Sequence, residues 1–424
     1  MMKRVLSASL LLLSLCLAAC VSAGGGALND APSAGTFESG SATEYIVTAT
    51  DLPVWWEYDN RIGNGQDNLC ETEDAYYFSP ASGAYLYYFD KANGSSGVLC
   101  GRPECVHDEE EQNVSCSGCL QLYGSTLNFF NGKLYYCAYD NSERCSALFC
   151  INLDGTDRRL VCDLKECDYF NLGGIQRLDY HRGKLYGYGI YQHVTDAVPE
   201  SGMNVMCIDP ETGEAKVLHT YQGNLMPIVK FYYYDRYVYF CAVKSNNDEG
   251  SEVEIMRWDT EGEALETVFV GDGLDGSMFA ISVISENRIM LAPAGVPEGA
   301  PQSVYAVSDE QIIKVFDFEL WGGTFLLEDA VVCIYPKGER MEVRGFDGDL
   351  IYMGDMGAEF TSAVGSGVKI IGVSSAYGDS NELFISYRMQ DTQDPERGFC
   401  ACLVRYDMTL EHPQGELLVF SPWA

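Results

Sequence analysis

The sequence predicts an all-β protein, a β-propeller of seven four-stranded blades, with six and eight as the neighbouring counts. Three observations predict it. The first is the stretch from Leu134 to Leu164, which reads as three short strands. Leu134 to Tyr139 is aromatic and apolar, a polar turn Asp140-Asn141-Ser142-Glu143 follows, Ala147 to Leu153 is the next strand, and Asp154-Gly155-Thr156 turns into Arg159 to Leu164. Asp bonds its own backbone in such a turn, and Gly tolerates positive φ. Leu120 to Phe130 supplies a fourth strand, so one unit is an antiparallel meander that cannot bury both of its faces alone.

The second observation is that the unit recurs. An apolar or aromatic pair followed by Asp marks a turn at Tyr88-Phe89-Asp90, Asn152-Leu153-Asp154, Cys207-Ile208-Asp209, Arg257-Trp258-Asp259, Val307-Ser308-Asp309, Gly345-Phe346-Asp347 and Arg405-Tyr406-Asp407. Successive Asp positions are 64, 55, 50, 50, 38 and 60 residues apart. The third is a turn residue opening a strand, at Gly132-Lys133-Leu134-Tyr135, Gly183-Lys184-Leu185-Tyr186, Arg236-Tyr237-Val238-Tyr239, Asn287-Arg288-Ile289-Met290 and Glu382-Leu383-Phe384. Spacings near 50 with four strands per unit are those of propeller blades. Helical arrays need an apolar period of 3.6, and the chain has none.

In chain order, residues 1–20 read as an export signal. Lys3 and Arg4 form the positive region, Val5 to Leu17 the apolar core and Leu17-Ala18-Ala19-Cys20 the cleavage site. The core is too short for a stable span, and no other stretch reaches the ~18 apolar residues that one needs. Leu-Ala-Ala-Cys is also a bacterial lipobox, so Cys20 is expected to be acylated and to anchor the protein to the outer face of the cell membrane. Residues 21–43, rich in Gly, Ala and Ser, form a flexible tether with a typical reach of about 25–30 Å. Residues 44–424 form the propeller. Tyr45 to Thr50 reads as a strand that closes the ring against the last blade, and Trp55-Trp56 as an aromatic plug between blades or a ligand platform.

Charge narrows the partners. The chain carries 62 acidic and 27 basic residues for a formal −35, and loss of Lys3 and Arg4 with the signal takes it to −37. Such a surface repels nucleic acid and anionic lipid, so no nucleic acid partner is expected. Apart from the run Asp108 to Glu111, the acidic residues are dispersed as a solvated face. With 47% hydrophobic residues and 28 Tyr, the chain can build a large core of half-buried strands.

Of 17 Cys, Cys16 leaves with the signal and Cys20 takes the lipid, and the odd remainder argues against a complete disulfide framework. Cys137, Cys150, Cys162, Cys207, Cys241, Cys333, Cys400 and Cys402 sit in apolar runs, as small buried hydrophobes do. A second group differs. Cys100-Gly-Arg-Pro-Glu-Cys105-Val-His107 is followed by Cys116-Ser-Gly-Cys119, in a polar loop at 100–119 without strand pattern. Zinc takes four thiolate or imidazole ligands in a tetrahedron. Cys100, Cys105, His107 and Cys116, with Cys119 as substitute fourth ligand, are therefore candidates for a structural zinc site. The spacing follows no standard zinc pattern, and disulfides in an oxidising compartment stand as the alternative. A catalytic zinc would need an open position and a general base, for which Glu104 and Asp108 are only generic candidates.

The lipobox, the tether, Tyr85-Leu86-Tyr87-Tyr88-Phe89-Asp90-Lys91 running into Val98-Leu99-Cys100, and the Cys-x4-Cys-x-His loop are similar to those of exported propeller lipoproteins of Gram-positive gut anaerobes. In those proteins a similar Leu-Cys…Cys-x-His…Cys loop follows the first blade, and the head resembles TolB-like propellers with domains of unknown function. Cys119 is an addition to that pattern. The resemblance implies a fold and a cell-surface location, and no activity.

The sequence holds no G-x-S-x-G elbow, H-E-x-x-H pair or Walker loop. Gly271-Asp-Gly-Leu-Asp-Gly276 fits a dinucleotide fingerprint, but strand-like Phe279 to Ile284 follows where a helix is required, so it reads as a turn. The histidines stand at 107, 181, 193, 219 and 412, none beside catalytic partners, and His181 falls in a hairpin turn. Two functions fit: a surface module binding a glycan, peptide or protein, or a polysaccharide-processing hydrolase or lyase with its site at the central channel. Loops that vary without a catalytic signature favour the first.

Overall fold

The computed structural model describes residues 68–422, apart from 81–83, 108–112, 114, 121–126, 131, 141–144, 164–174, 182, 195–198, 213, 223–227, 247–249, 275–278, 286–287, 294–301, 309–310, 336–337, 358–359 and 366. The expected signal, tether, ring-closing strand at Tyr45 to Thr50 and Trp55-Trp56 plug lie outside the described residues. Among the described residues, no helix is long and apolar enough to cross a membrane.

Seven antiparallel sheets of four strands follow one another along the chain, each a simple meander of consecutive strands. Blade 1 is β1 (Leu69–Glu71), β2 (Ala75–Phe78), β3 (Tyr87–Asp90) and β4 (Ser96–Val98). Blade 2 is β5 (Leu127–Phe130), β6 (Lys133–Asp140), β7 (Cys145–Asn152) and β8 (Arg159–Asp163). Blade 3 holds β9 (Ile175–His181), β10 (Lys184–Val194), β11 (Pro199–Ile208) and β12 (Ala215–Gln222). Blade 4 holds β13 (Ile228–Tyr234), β14 (Tyr237–Asn246), β15 (Gly250–Asp259) and β16 (Ala264–Leu274). Blade 5 holds β17 (Phe279–Ser285), β18 (Arg288–Pro293), β19 (Ser303–Ser308) and β20 (Gln311–Asp317). Blade 6 holds β21 (Gly323–Leu326), β22 (Ala330–Ile334), β23 (Arg340–Gly345) and β24 (Leu350–Asp355). Blade 7 holds β25 (Val368–Gly378), β26 (Glu382–Asp391), β27 (Phe399–Asp407) and β28 (Gly415–Ser421). The protein is a seven-bladed β-propeller.

The recurring Asp has a local cause. It sits where the third strand of a blade turns into the fourth, and its carboxylate caps the turn. Asp90 accepts from the Ala92 N–H at 2.8 Å, Asp209 from Glu211 at 2.8 Å, Asp259 from Glu261 at 3.0 Å and Asp407 from Thr409 at 3.0 Å. This is the Asx turn, in which the side chain stands in for a backbone acceptor. A second repeat lies below the level of sequence. In blades 2 to 7 the register between third and fourth strands slips, at Leu148/Phe149, Val205/Met206, Ile255/Met256, Val304/Tyr305, Val343/Arg344 and Leu403/Val404, with a second slip in blade 4 at Ser251/Val253. A bulge there adds twist, as the outer part of a propeller blade requires.

The core is divided among seven hydrophobic clusters, each shared by two neighbouring blades. The alternation of strand side chains produces this. In β22, Ala330, Val332 and Ile334 face blade 7, while Val331 and Cys333 face blade 5. Strands buried on both faces therefore read as unbroken apolar runs. The cluster of Tyr76, Phe78, Tyr85, Tyr377, Phe384, Leu403 and Leu418 joins blade 7 to blade 1 and closes the ring. Blade 7's sheet draws all four strands from the C-terminal end of the chain, so among the described residues the closure is made by packing and by side-chain bonds such as Tyr87 Oη to Ser421 Oγ at 3.4 Å.

Three expectations are corrected. Leu120 to Phe130 is not one strand: the Leu120 N–H bonds back to the Ala84 carbonyl in blade 1, and only Leu127–Phe130 joins blade 2. His181 is not in a turn. It ends β9 fully buried, its ring 4.5 Å from that of Tyr233. Gly271 to Leu274 lies in β16 rather than in a turn, and the residues after it are outside the described set.

One buried charge stands out. Glu342 on β23 is fully enclosed, accepting from the Leu320 N–H at 2.7 Å and from Arg344 Nε at 2.6 Å. Glu342→Gln keeps the shape and the Leu320 bond but removes the nearer of the two carboxylates beside Arg344, leaving Glu319 at 3.8 Å. It is expected to lower stability by about 1–3 kcal/mol, read as a lower urea midpoint at unchanged slope. A variant with the wild-type midpoint would show that Arg344 does not need this partner.

Candidate metal centre

The loop after blade 1 leaves and re-enters the fold at one place. The Leu99 N–H bonds the Leu86 carbonyl at 2.7 Å, and the Leu86 N–H bonds the Gly118 carbonyl at 2.8 Å. Tyr85 bridges to Cys119, so 118–120 runs antiparallel to 84–86. The neck is tight: a β-carbon on Gly118 would stand 2.5 Å from the Leu99 carbonyl oxygen. Both ends of the loop are thus pinned to the chain that enters β3.

Within this loop Cys100, Cys105, His107 and Cys116 come together, their ligand atoms all within 4.8 Å of one another. Zinc–sulfur bonds of about 2.3 Å in a tetrahedron put sulfurs somewhat under 4 Å apart, so only a small contraction separates the set from a coordination shell. The group could hold a metal ion. Cys119 is not brought to it. Being in the extended run against 84–86, its side chain is fully buried in the cluster with Tyr85 and Phe384. Cys100, Cys105 and Cys116 are free cysteines. Cys116 is buried, Cys100 and Cys105 are half-buried and His107 is exposed, next to Val106, which is 69% exposed.

Surrounding groups shape the thiols. Partial burial opposes ionisation of Cys100, but hydrogen bonds with His107 and Ser117 outweigh it and lower its pKa to about 6. Burial pushes the Cys116 thiol up to about 12, against the help of the Gly118 N–H and with the neighbouring Cys100 adding to the rise. One sulfur of the pair is therefore readily a thiolate and the other holds its proton, as expected where like charges crowd together.

Residues that spacing did not single out complete the surroundings. Tyr85 is fully buried beneath the loop; its ring meets His107 edge-on at 5.6 Å and its hydroxyl accepts the Asn113 N–H at 2.9 Å. Arg102 donates to the Ser115 carbonyl. From blade 2, Arg158 lies over the Phe149 ring at 4.8 Å and donates to the Cys116 carbonyl at 3.5 Å, and the Gly101 N–H bonds the Gly155 carbonyl at 3.1 Å. The β7–β8 turn thus leans on the loop. No sequence signal marks these contacts, because they arise from two blades meeting.

No protein-family model matches the chain, and no curated protein sequence matches it. The chain is similar to several solved structures. The β-propeller domain of the Trilobed protease from Pyrococcus furiosus is 10% identical over 86% of this chain and 99% of its own, with a TM-score of 0.45. Oligogalacturonate lyase from Vibrio parahaemolyticus is 11% identical over 84% and 90%, at 0.44. TolB from Acinetobacter baumannii is 12% identical over 68% of this chain, at 0.34, and this chain spans 63% of that one.

Proposed function

We propose that the protein is an exported, lipid-anchored propeller that acts as a binding or scaffold module for a glycan, a peptide or a partner protein, its head holding a structural zinc in the Cys100/Cys105/His107/Cys116 centre. The observation that carries the proposal is the donor set. Three thiols and one imidazole within 4.8 Å of one another fill a tetrahedral shell, which leaves no position for a reacting water or substrate. The centre is then a clamp on a loop. A ring of seven blades, each locked to both neighbours, presents connections of unequal length on a rigid frame, which is how such folds recognise partners. The strongly acidic surface supports a glycan or protein ligand over nucleic acid. Attachment rests on the lipobox ending at Cys20.

The purified protein, offered a panel of neutral and acidic polysaccharides in affinity electrophoresis, is expected to be retarded by a ligand without releasing reducing ends or unsaturated uronate. Release of either product would replace this reading with a hydrolase or a lyase. Cys20→Ala is expected to abolish fatty-acid labelling and membrane partitioning, and undiminished labelling would remove the anchor from the proposal.

The metal has its own test. Protein purified without chelator is expected to carry one zinc per chain, and a strong chelator to lower its melting temperature, because binding energy at such a site is also ordering energy. Absence of zinc together with oxidised loop cysteines in a thiol count would assign the loop to disulfides.

A further inference from the structure

Resting on the centre being a zinc site, we infer that Asn113 is a positioning residue that orients Cys105 as a ligand by donating a hydrogen bond to its sulfur. Three thiolates outweigh the charge of one divalent ion, so the shell keeps a net negative charge that needs donors around it. Ligand sulfurs in such shells are oriented by outer hydrogen bonds, whose loss weakens metal binding about 10–100-fold.

The geometry of Asn113 leaves its side chain one orientation. The Oδ1 end accepts twice from Ser115, from the N–H at 3.2 Å and from the hydroxyl at 2.7 Å. Both partners are donors there, so the other end of the amide is Nδ2. That nitrogen lies 3.3 Å from Cys105 Sγ and 3.0 Å from the Val106 carbonyl, both acceptors. The backbone is fixed as well, through the bond from Asn113 N–H to the hydroxyl of fully buried Tyr85. Asn113 thus links the floor of the loop to one ligand sulfur. Ser117 stands in the same relation to another, its hydroxyl 3.6 Å from Cys100 Sγ. Asparagine suits the position because its two ends differ: aspartate would keep the Ser115 contacts and turn a second acceptor toward the sulfur.

That difference separates positioning from mere loop-shaping. Asn113→Asp preserves the Ser115 contacts and removes the donor to Cys105 Sγ and to the Val106 carbonyl; Ser115→Ala removes a turn bond and preserves the donor; Asn113→Ala removes both. Zinc affinity is measured on the purified protein by competition with a chromophoric chelator, and cobalt(II) is substituted to read the sulfur-to-metal charge-transfer band. Asn113→Asp is expected to bind zinc about 10–100-fold more weakly and to alter the charge-transfer band, with Ser115→Ala near wild type. Wild-type affinity and spectrum in Asn113→Asp, beside weak binding in Asn113→Ala, would reduce Asn113 to a turn former and overturn the inference. Should wild type take up neither zinc nor cobalt, the zinc reading fails and the inference with it. Should Asn113→Asp not fold, Ser117→Ala decides: it is expected to weaken binding through Cys100, and unchanged affinity there would count against donor positioning of the sulfurs.

Discussion

Gly155→Ala is expected to be far more damaging than the same change at Gly183, a left-handed glycine with open space around it. Gly155 has φ 76° in the β7–β8 turn, and a β-carbon there would lie 2.7 Å from the backbone nitrogens of both Cys100 and Gly101. The left-handed conformation alone costs a side-chain-bearing residue about 1–2 kcal/mol. The clash falls on backbone, which cannot swing aside as a side chain would, so the turn and the cysteine loop must separate and the bond from Gly101 N–H to Gly155 O is lost. Gly183 supplies the control: its φ is 83°, yet a β-carbon there meets nothing within 4 Å. Gly183→Ala should therefore show the conformational cost alone. Gly155→Ala should lose about 2–4 kcal/mol and, if the loop holds zinc, bind it more weakly. Equal denaturant midpoints for the two variants would mean that the turn and the loop do not press on each other.

Phe384→Ala is expected to cost about 3–5 kcal/mol and to open the ring at one place. Phe384 is 1% exposed, with its ring 5.0 Å from that of Tyr76, in the cluster where blade 7 meets blade 1. Truncation leaves a cavity that packed strands fill only in part. Phe231, fully buried between blades 3 and 4, offers a comparison of equal chemistry inside the continuous chain. Both truncations should lower the melting temperature. Only Phe384→Ala should also speed amide exchange in β1 to β4 relative to the other blades, since those strands meet blade 7 through side chains. Uniform exchange in the two variants would indicate a ring that opens everywhere at once.

The features legible in the sequence were those with local causes. Asp at the third turn of a blade, seen in six of the seven, is chemistry between residues two or three apart, so it survives as a pattern even where strand lengths change. Unbroken apolar runs such as Ala330–Ile334 are readable too, because such a strand is buried on both faces. Four of the five candidate ligands meet for a similar reason: the loop that carries them is short. Cys119 was indistinguishable from them by spacing, and its exclusion follows from the extended run of 118–120 beside 84–86, a pairing that spacing does not reveal. Leu120 to Phe130 looked like one strand because composition does not show where a chain changes sheets. His181 reads as a turn residue because Gly183 and Lys184 follow it. Its burial against Tyr233 depends on the next blade, as does the bond from the Tyr233 hydroxyl to Asp179 at 2.8 Å.

The seven blades are unequal in a way that matters for mechanics. Blade 1 is made of strands of 3, 4, 4 and 3 residues, whereas blades 3, 4 and 7 contain strands of 10 and 11. Among the described residues, tension from the N-terminal side reaches β1 first and loads this smallest sheet, with few ladder bonds to share the force. The cysteine loop then works as a rivet in shear. It fastens the chain entering β3 to the β7–β8 turn, so that peeling blade 1 away from the ring would also have to drag blade 2.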